Sequence, residues 1–235
     1  MYLPIFRGRQ YELLALEEEV QNNLFATSLE RENQIIPIVE PINLTTRLSR
    51  TINTFIEQHS YIGIIFNPKR ELTDVTAEEI TAFLSSIEGN NDYVLPVIYI
   101  DDNCNDTFST IVNAGYQVER CISICLEQSR ISQALGFHNN TDQFLYTLVG
   151  ESRDFTRMLA GTVGSLVLCN DRFNKLQRNS DYAHNVNEFF SSDHLYFSQD
   201  HFTGYSDYSI VGNDFMMGGF APRAVAIHII YMNSQ

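Results

Sequence analysis

Short apolar, β-rich runs recur along the chain at residues 3–6, 35–39, 62–66, 94–100, 121–126, 144–149 and 165–169, with starts 32, 27, 32, 27, 23 and 21 residues apart. That spacing matches one strand plus one crossover helix. Between the runs the apolar period lengthens to that of a helix. Residues 11–20 carry a helical apolar stripe and end in three glutamates, a solvated face. Asn43 or Thr45 is placed to cap a helix through Leu48, Ile52, Phe55 and Ile56, and Thr76 with Glu79 reads as a capping box ahead of Ile80, Phe83 and Leu84. Residues 107–114, 129–135 and 153–159 supply three more helices, and 182–190 a seventh.

Seven strand-then-helix units, followed by a further strand at residues 208–211, predict parallel strands joined by helices. The fold class is α/β, and the closure that accommodates eight such strands is a (β/α)8 TIM-like barrel. An open doubly wound sheet would announce a Gly-rich phosphate turn after its first strand, whereas the first run here leads into Arg7-Gly8-Arg9-Gln10. One domain over 1–235 is expected, with strand-helix units over 1–193 and a polar loop and terminal strands over 194–235. Gly218-Gly219 signals a turn before the apolar run 224–231, which predicts a C-terminal β-hairpin insertion. A barrel ending there lacks its last helix, so the expectation is a barrel incomplete at its C-terminus.

Composition narrows the partners. Fifteen Lys and Arg against 29 Asp and Glu give a net charge of −14, which argues against direct nucleic-acid binding, since that depends on clustered cations. The start lacks a basic region followed by an apolar run, so it does not read as a secretory signal, and no apolar stretch approaches the roughly 20 residues of a membrane helix. A cytoplasmic protein is expected, with Cys104, Cys121, Cys125 and Cys169 as free thiols. Cys121 and Cys125 lie on a strand, where four residues span about 13 Å. One zinc ion, with thiolate bonds of about 2.3 Å, does not bridge them, and no protein metal site is expected.

Active sites of such barrels lie at the C-terminal ends of the strands, so the polar residue at each strand exit is the candidate. Alternation places Arg7 inward after Leu3 and Ile5, Glu40 after Ile36 and Ile38, Asn67 after Gly63 and Ile65, and Asp101 after Val97 and Tyr99. The same reasoning sends Glu127 inward with Cys121, Ser123 and Cys125, and Glu151 inward with Leu145, Thr147 and Val149. Asn170 or Asp171 closes the seventh strand and Asp207 precedes the eighth, beside Arg7. Glu40, Glu127 and Asp207 are the catalytic candidates; Arg7, Asn67, Asp101, Glu151 and Asp171 are the ligand-binding ones. Arg7, Glu40 and Glu127 are expected to share one cavity, with Asp207 paired to Arg7 or sharing its ligand. One cation among carboxylates suits a phosphate-bearing ligand with Mg²⁺, or acid and base catalysis on a sugar. His184, His194 and His201 show no ligand spacing and read as surface histidines.

The segments YLPIFRGRQYELLAL, IIPIVEPINL, DRFNKLQRNSDY, GYSDYSIVGNDF and GGFAPRAVAIHIIY together resemble the bacterial and phage "beta protein" family across nearly the whole chain. The resemblance implies a further strand and helix after AVAIHIIY. It also implies a phage-defence-type setting beside a nuclease-like partner, and it supplies no chemistry. Asn43 stands where the family pattern carries a lysine, so no role is carried onto that position. Two functions are therefore expected as alternatives. One is a cytosolic barrel with a small-ligand pocket, a hydrolase of a phosphate- or sugar-containing ligand. The other is a non-catalytic protein that docks the nuclease-like partner through its acidic surface.

Overall fold

A computed structural model describes residues 1–30, 34–87, 91–141, 144–159, 161, 165–176, 178–184, 187–208 and 227–230. Eight strands follow in order: β1 (Ile5–Phe6), β2 (Ile38–Val39), β3 (Ile62–Ile65), β4 (Val94–Tyr99), β5 (Ile122–Cys125), β6 (Tyr146–Val149), β7 (Ser165–Cys169) and β8 (Gly204–Ser206). Each pairs in parallel with the next, so spatial order equals chain order. Parallel bridges from Tyr2 to Tyr205 and from Ile5 to Tyr208 bring β8 back to β1. The sheet thus closes into a (β/α)8 barrel whose seam is made of isolated bridges rather than a continuous ladder.

The helices are α1 (Gln10–Gln21), α2 (Thr46–Glu57), α3 (Ala77–Ser85), α4 (Cys104–Asn113), α5 (Ile131–Asn139), α6 (Arg153–Leu159) and the single turn α7 (Asp193–Tyr196). Their starts follow local chemistry. Thr45 Oγ1 accepts from Leu48 N at 3.2 Å, and Thr76 and Glu79 bond reciprocally, Thr76 N to Glu79 Oε2 at 2.9 Å and Glu79 N to Thr76 Oγ1 at 3.3 Å. Each cap satisfies helix-end donors that would otherwise lack partners.

Two apolar layers result. Leu3, Ile5, Ile38, Val97, Ile124 and Val167 fill the barrel interior. Leu16, Ile52, Phe55, Phe66, Ile98 and Phe155 pack strands against helices. Phe55 is completely buried, and its removal to Ala should cost about 3–5 kcal/mol.

Three sequence expectations are corrected. Residues 182–190 do not form the seventh helix: a 3-10 segment, Asn179–His184, is followed by non-helical chain at 187–190. The eighth strand starts earlier than expected, at Gly204–Ser206, with Tyr208 bridged to Ile5 and 209–211 outside the described residues. In β5 the alternation is reversed, with Ile122 and Ile124 in the barrel interior and Cys121 and Cys125 against the helices. A buried Cys behaves as a small apolar residue, so three small residues did not mark the inner face. Residues 209–226, including Gly218-Gly219 and most of the expected hairpin, lie outside the described residues, and 227–230 are not strand.

Candidate functional site

Arg7 and Glu40 leave β1 and β2 at the C-terminal end of the barrel, with inward parity. Gly8, at φ +66, turns the chain away immediately after Arg7, a left-handed conformation that glycine adopts without strain. The turn is fixed by the Glu12 carboxylate, which accepts from Arg7 N at 3.0 Å and Arg9 N at 3.1 Å. Arg7 Nη1 pairs with Glu40 Oε2, and the two side chains are 1% and 0% exposed. Glu40 Oε1 accepts from Lys69 N at 2.8 Å, while Oε2 also accepts from the Tyr99 hydroxyl at 3.2 Å. Both carboxylate oxygens are thus held by donors from three other segments, as a buried charge requires.

Two tyrosines and a lysine complete the cluster. The guanidinium carbon of Arg7 lies 5.0 Å from the Tyr208 ring centroid, and Lys69 Nζ lies 6.0 Å from the same centroid and 5.5 Å from that of Tyr99. Burial pushes both phenols well above the ordinary tyrosine range, so they remain protonated donors. Cys169, beneath them at the end of β7, is raised to about 12 by burial, which makes it an inert thiol rather than a nucleophile.

Asn67 and Asp101 flank this cluster. Asn67 bonds the backbone of Tyr99 at both ends of its side-chain amide. Asp101, half-buried, accepts from Asn103 N at 2.9 Å, and its carboxyl is raised chiefly by burial, against the lowering effect of bonds from Asn103 and Asn67.

The remaining candidates go elsewhere. Glu127 is 69% exposed and pairs with Arg130 at 3.4 Å, on the outward parity of β5. It does not enter the cavity expected for it with Arg7 and Glu40. Glu151 is likewise outward, 63% exposed and 2.8 Å from Arg172, because Tyr146 and Leu148 take the interior face of β6. Asp171 is exposed and accepts from Phe173 N at 3.2 Å, the local turn chemistry common for Asp. Asp207 accepts from the Tyr2 hydroxyl at 2.7 Å, and burial followed by the charges of Asp193 and Asp171 raises its carboxyl. Because Ser206 and Tyr208 are the inward residues, Asp207 points away from the barrel axis, and the expected pairing with Arg7 is replaced by Tyr208 against Arg7. Lys69, Tyr99 and Tyr208 were missed as site residues. Alternation places Tyr99 inward, as the structure has it, and Lys69 is one of only two lysines beside thirteen arginines, a scarcity visible in the sequence.

Two cavities open away from this cluster. One of about 230 Å³ is lined by Ser85, Asn91, Tyr116 and Arg120, and one of about 350 Å³ by Arg172, Phe190 and Asp193. Neither contains Arg7, Glu40 or Lys69; the cluster is set apart by its charge and its position at the strand ends, with Lys69 its half-buried member. Among the described residues, no group of three or more His, Cys, Asp and Glu is placed to hold a metal ion. Among them, too, no helix is long and apolar enough to cross a membrane. No family model, curated protein or solved structure matches this chain.

Proposed function

We propose that this barrel is a small-ligand enzyme of the "beta protein" type, a hydrolase that takes a phosphate- or sugar-containing ligand at its C-terminal mouth in a phage-defence-type system. The observation that carries the reading is the buried Arg7–Glu40 pair at that end of the barrel, covered by Lys69, Tyr99 and Tyr208. In this fold the strand exits are where ligands are handled. Arg7 supplies a fixed cation, and Glu40, with both oxygens engaged, is a positioning residue for it rather than a base. Asp101 is the half-buried carboxyl beside the cluster, and its pKa is raised chiefly by burial, the direction in which carboxylates are tuned to carry protons.

The test is a panel of chromogenic phosphate esters and glycosides with the wild-type protein and Asp101→Asn. Turnover of one class, lost by about 100-fold in the variant, supports the reading. No turnover and no binding across the panel removes it.

A second reading, a non-catalytic partner protein, draws support from carboxylates on an outer rim: Glu127, Glu151 and Asp102 are 69%, 63% and 87% exposed. Such a rim suits a basic surface, and the nuclease-like neighbour would be the partner. Salt-sensitive co-elution with that neighbour, weakened by neutralising these three residues, separates it from the enzyme reading.

A further inference from the structure

We infer that the cavity at the opposite, N-terminal end of the barrel is a binding site for a neutral polyhydroxyl ligand of monosaccharide size. It stands independently of the mouth cluster and of any turnover there.

The position follows from the fold. Strands β4 and β5 run parallel, and the short 3-10 turns Asn91–Tyr93 and Val118–Arg120 lead into their N-terminal ends. The cavity, of about 230 Å³, lies between these turns and the C-terminal ends of α3 and α4, at Ser85 and Ala114. At about 30 Å³ for each water it has the volume of about seven of them. That is the scale of a monosaccharide and far more than one bound ion or one bridging water needs.

The wall is polar without being short of a charge. Arg120 Nη2 donates to the Asp92 carbonyl, Nη1 lies 3.8 Å from Asp92 Oδ1, and the guanidinium carbon lies 5.7 Å from the Tyr61 centroid. The one cation of the lining is therefore held in place with the one carboxylate of the lining beside it. What is unmet is a hydrogen bond. Asn91 Oδ1 is buried and has no donor among the described residues, a lack that native structures ordinarily fill. Around it stand groups of both kinds. Ser85 Oγ donates to Thr81 O at 2.8 Å and keeps its lone pairs to accept. Burial pushes the Tyr116 phenol up to about 12, so it stays a protonated hydroxyl. Gln117 brings an amide that both donates and accepts, and Arg120 has five N–H groups, more than the contacts above use.

This mixture selects the ligand. An amine would satisfy Asn91 Oδ1 and be repelled by Arg120. A carboxylate would suit Arg120 and meet Asp92 and Asn91 Oδ1 unfavourably. A hydroxyl donates and accepts at once, so several of them on one ring answer the whole wall. Val94 and Ala114, the apolar part of the lining, suit the C–H groups of such a ring.

Hydrogen exchange read by mass spectrometry on the full chain tests this, with glucose, galactose, mannose and ribose as probes. One of them is expected to bind saturably and, at about ten times its dissociation constant, to slow exchange about tenfold in peptides covering 85–94 and 114–120. Asn91→Ala is expected to weaken that binding about tenfold, the value of one well-placed hydrogen bond. Gln117→Ala, at an exposed position, should weaken it in the same direction without loss of Tm. Methylammonium and acetate at matched concentration should protect neither peptide. Uniform slowing along the chain is the general effect of an excluded co-solvent and overturns the inference. So do protection elsewhere alone, equal binding by both variants, equal protection by a charged probe, or no saturable binding of any sugar.

Discussion

Asn67 holds the backbone of Tyr99 as a neighbouring strand would: its side-chain nitrogen donates to the Tyr99 carbonyl at 2.8 Å, and its side-chain oxygen accepts from Tyr99 N at 2.8 Å. Two residues past the end of β3, a side chain takes over the pairing that the backbone ladder has given up. Tyr99 in turn donates to Glu40, so Asn67 sets the height of a site residue it does not touch.

Asn67→Ala should remove both bonds. We expect a loss of about 2 kcal/mol, about 4–8 °C in Tm for a chain of this size. Asn67→Asp keeps the acceptor and loses the donor, and should fall between. Thermal unfolding of the three proteins checks the order; an alanine variant as stable as wild type would show that the strand exit holds itself.

The Arg7–Glu40 pair should behave as a buried unit. Removing either charge alone, by Arg7→Met or Glu40→Met, leaves its partner buried and uncompensated, at a cost of about 3–5 kcal/mol. The double variant should lose much less than the sum of the two. Urea unfolding of all four proteins measures the coupling, and additive losses would contradict it.

His138 predicts an acid-sensitive wall of the barrel. Its Nε2 lies 3.1 Å from Ser123 Oγ, which donates to Thr147 Oγ1 at 3.0 Å, tying α5 to β5 and β6. Phe137 and Phe144 pack edge-on against the imidazole, and burial lowers it to about 4. The folded value lies below the unfolded one near 6.5, so the unfolded chain binds the proton first. The contribution is therefore whole above about pH 6.5 and is lost as pH falls toward 4, about 2 kcal/mol of it between pH 7 and 5. His138→Met should flatten this slope. Chemical unfolding at both pH values decides, and equal slopes in the two proteins would rule His138 out as its source.

The four cysteines should be silent in the native state. All are buried and free, and burial raises Cys121, Cys125 and Cys169 to about 12. A thiol reagent at pH 8 should titrate almost none in the folded protein and four after denaturation. Prompt reaction of even one would mean that a wall of the barrel opens readily.

The barrel was legible because its signal is repeated. Seven apolar runs at a strand-plus-helix interval do not depend on any one of them being read correctly, and the caps at Thr45 and Thr76 are local chemistry. The site was legible only where alternation was unambiguous. Leu3 and Ile5 point the way to Arg7, and Ile36 and Ile38 to Glu40, because both strands carry their large apolar residues on the inner face. On β5 and β6 both faces are buried, as is usual for parallel sheets, so Ser123 and Thr147 looked like inner residues when they belong to the His138 link. Glu127 and Glu151 were misplaced for that reason. Asp207 was read as the turn residue before a strand and so had no parity; with the strand already under way at Gly204–Ser206, alternation continues through it and gives the inward place to Tyr208. Lys69 lies on a loop, where periodicity carries no information.

The seam of the barrel has a consequence for synthesis. Tyr2 bonds to Asp207 across 205 positions, and Leu3 N and Ile5 N donate to the carbonyls of Tyr205 and Asp207. Of the eight strands, β1 is therefore made first and is the last to gain its second neighbour. At about 5–20 residues per second it waits on the order of 10–40 s with one edge open. During that interval the apolar segment from Leu3 to Phe6 can pair with any passing strand. A chaperone that masks the first few residues until Tyr208 emerges would raise the yield of folded protein more than one acting on the finished chain.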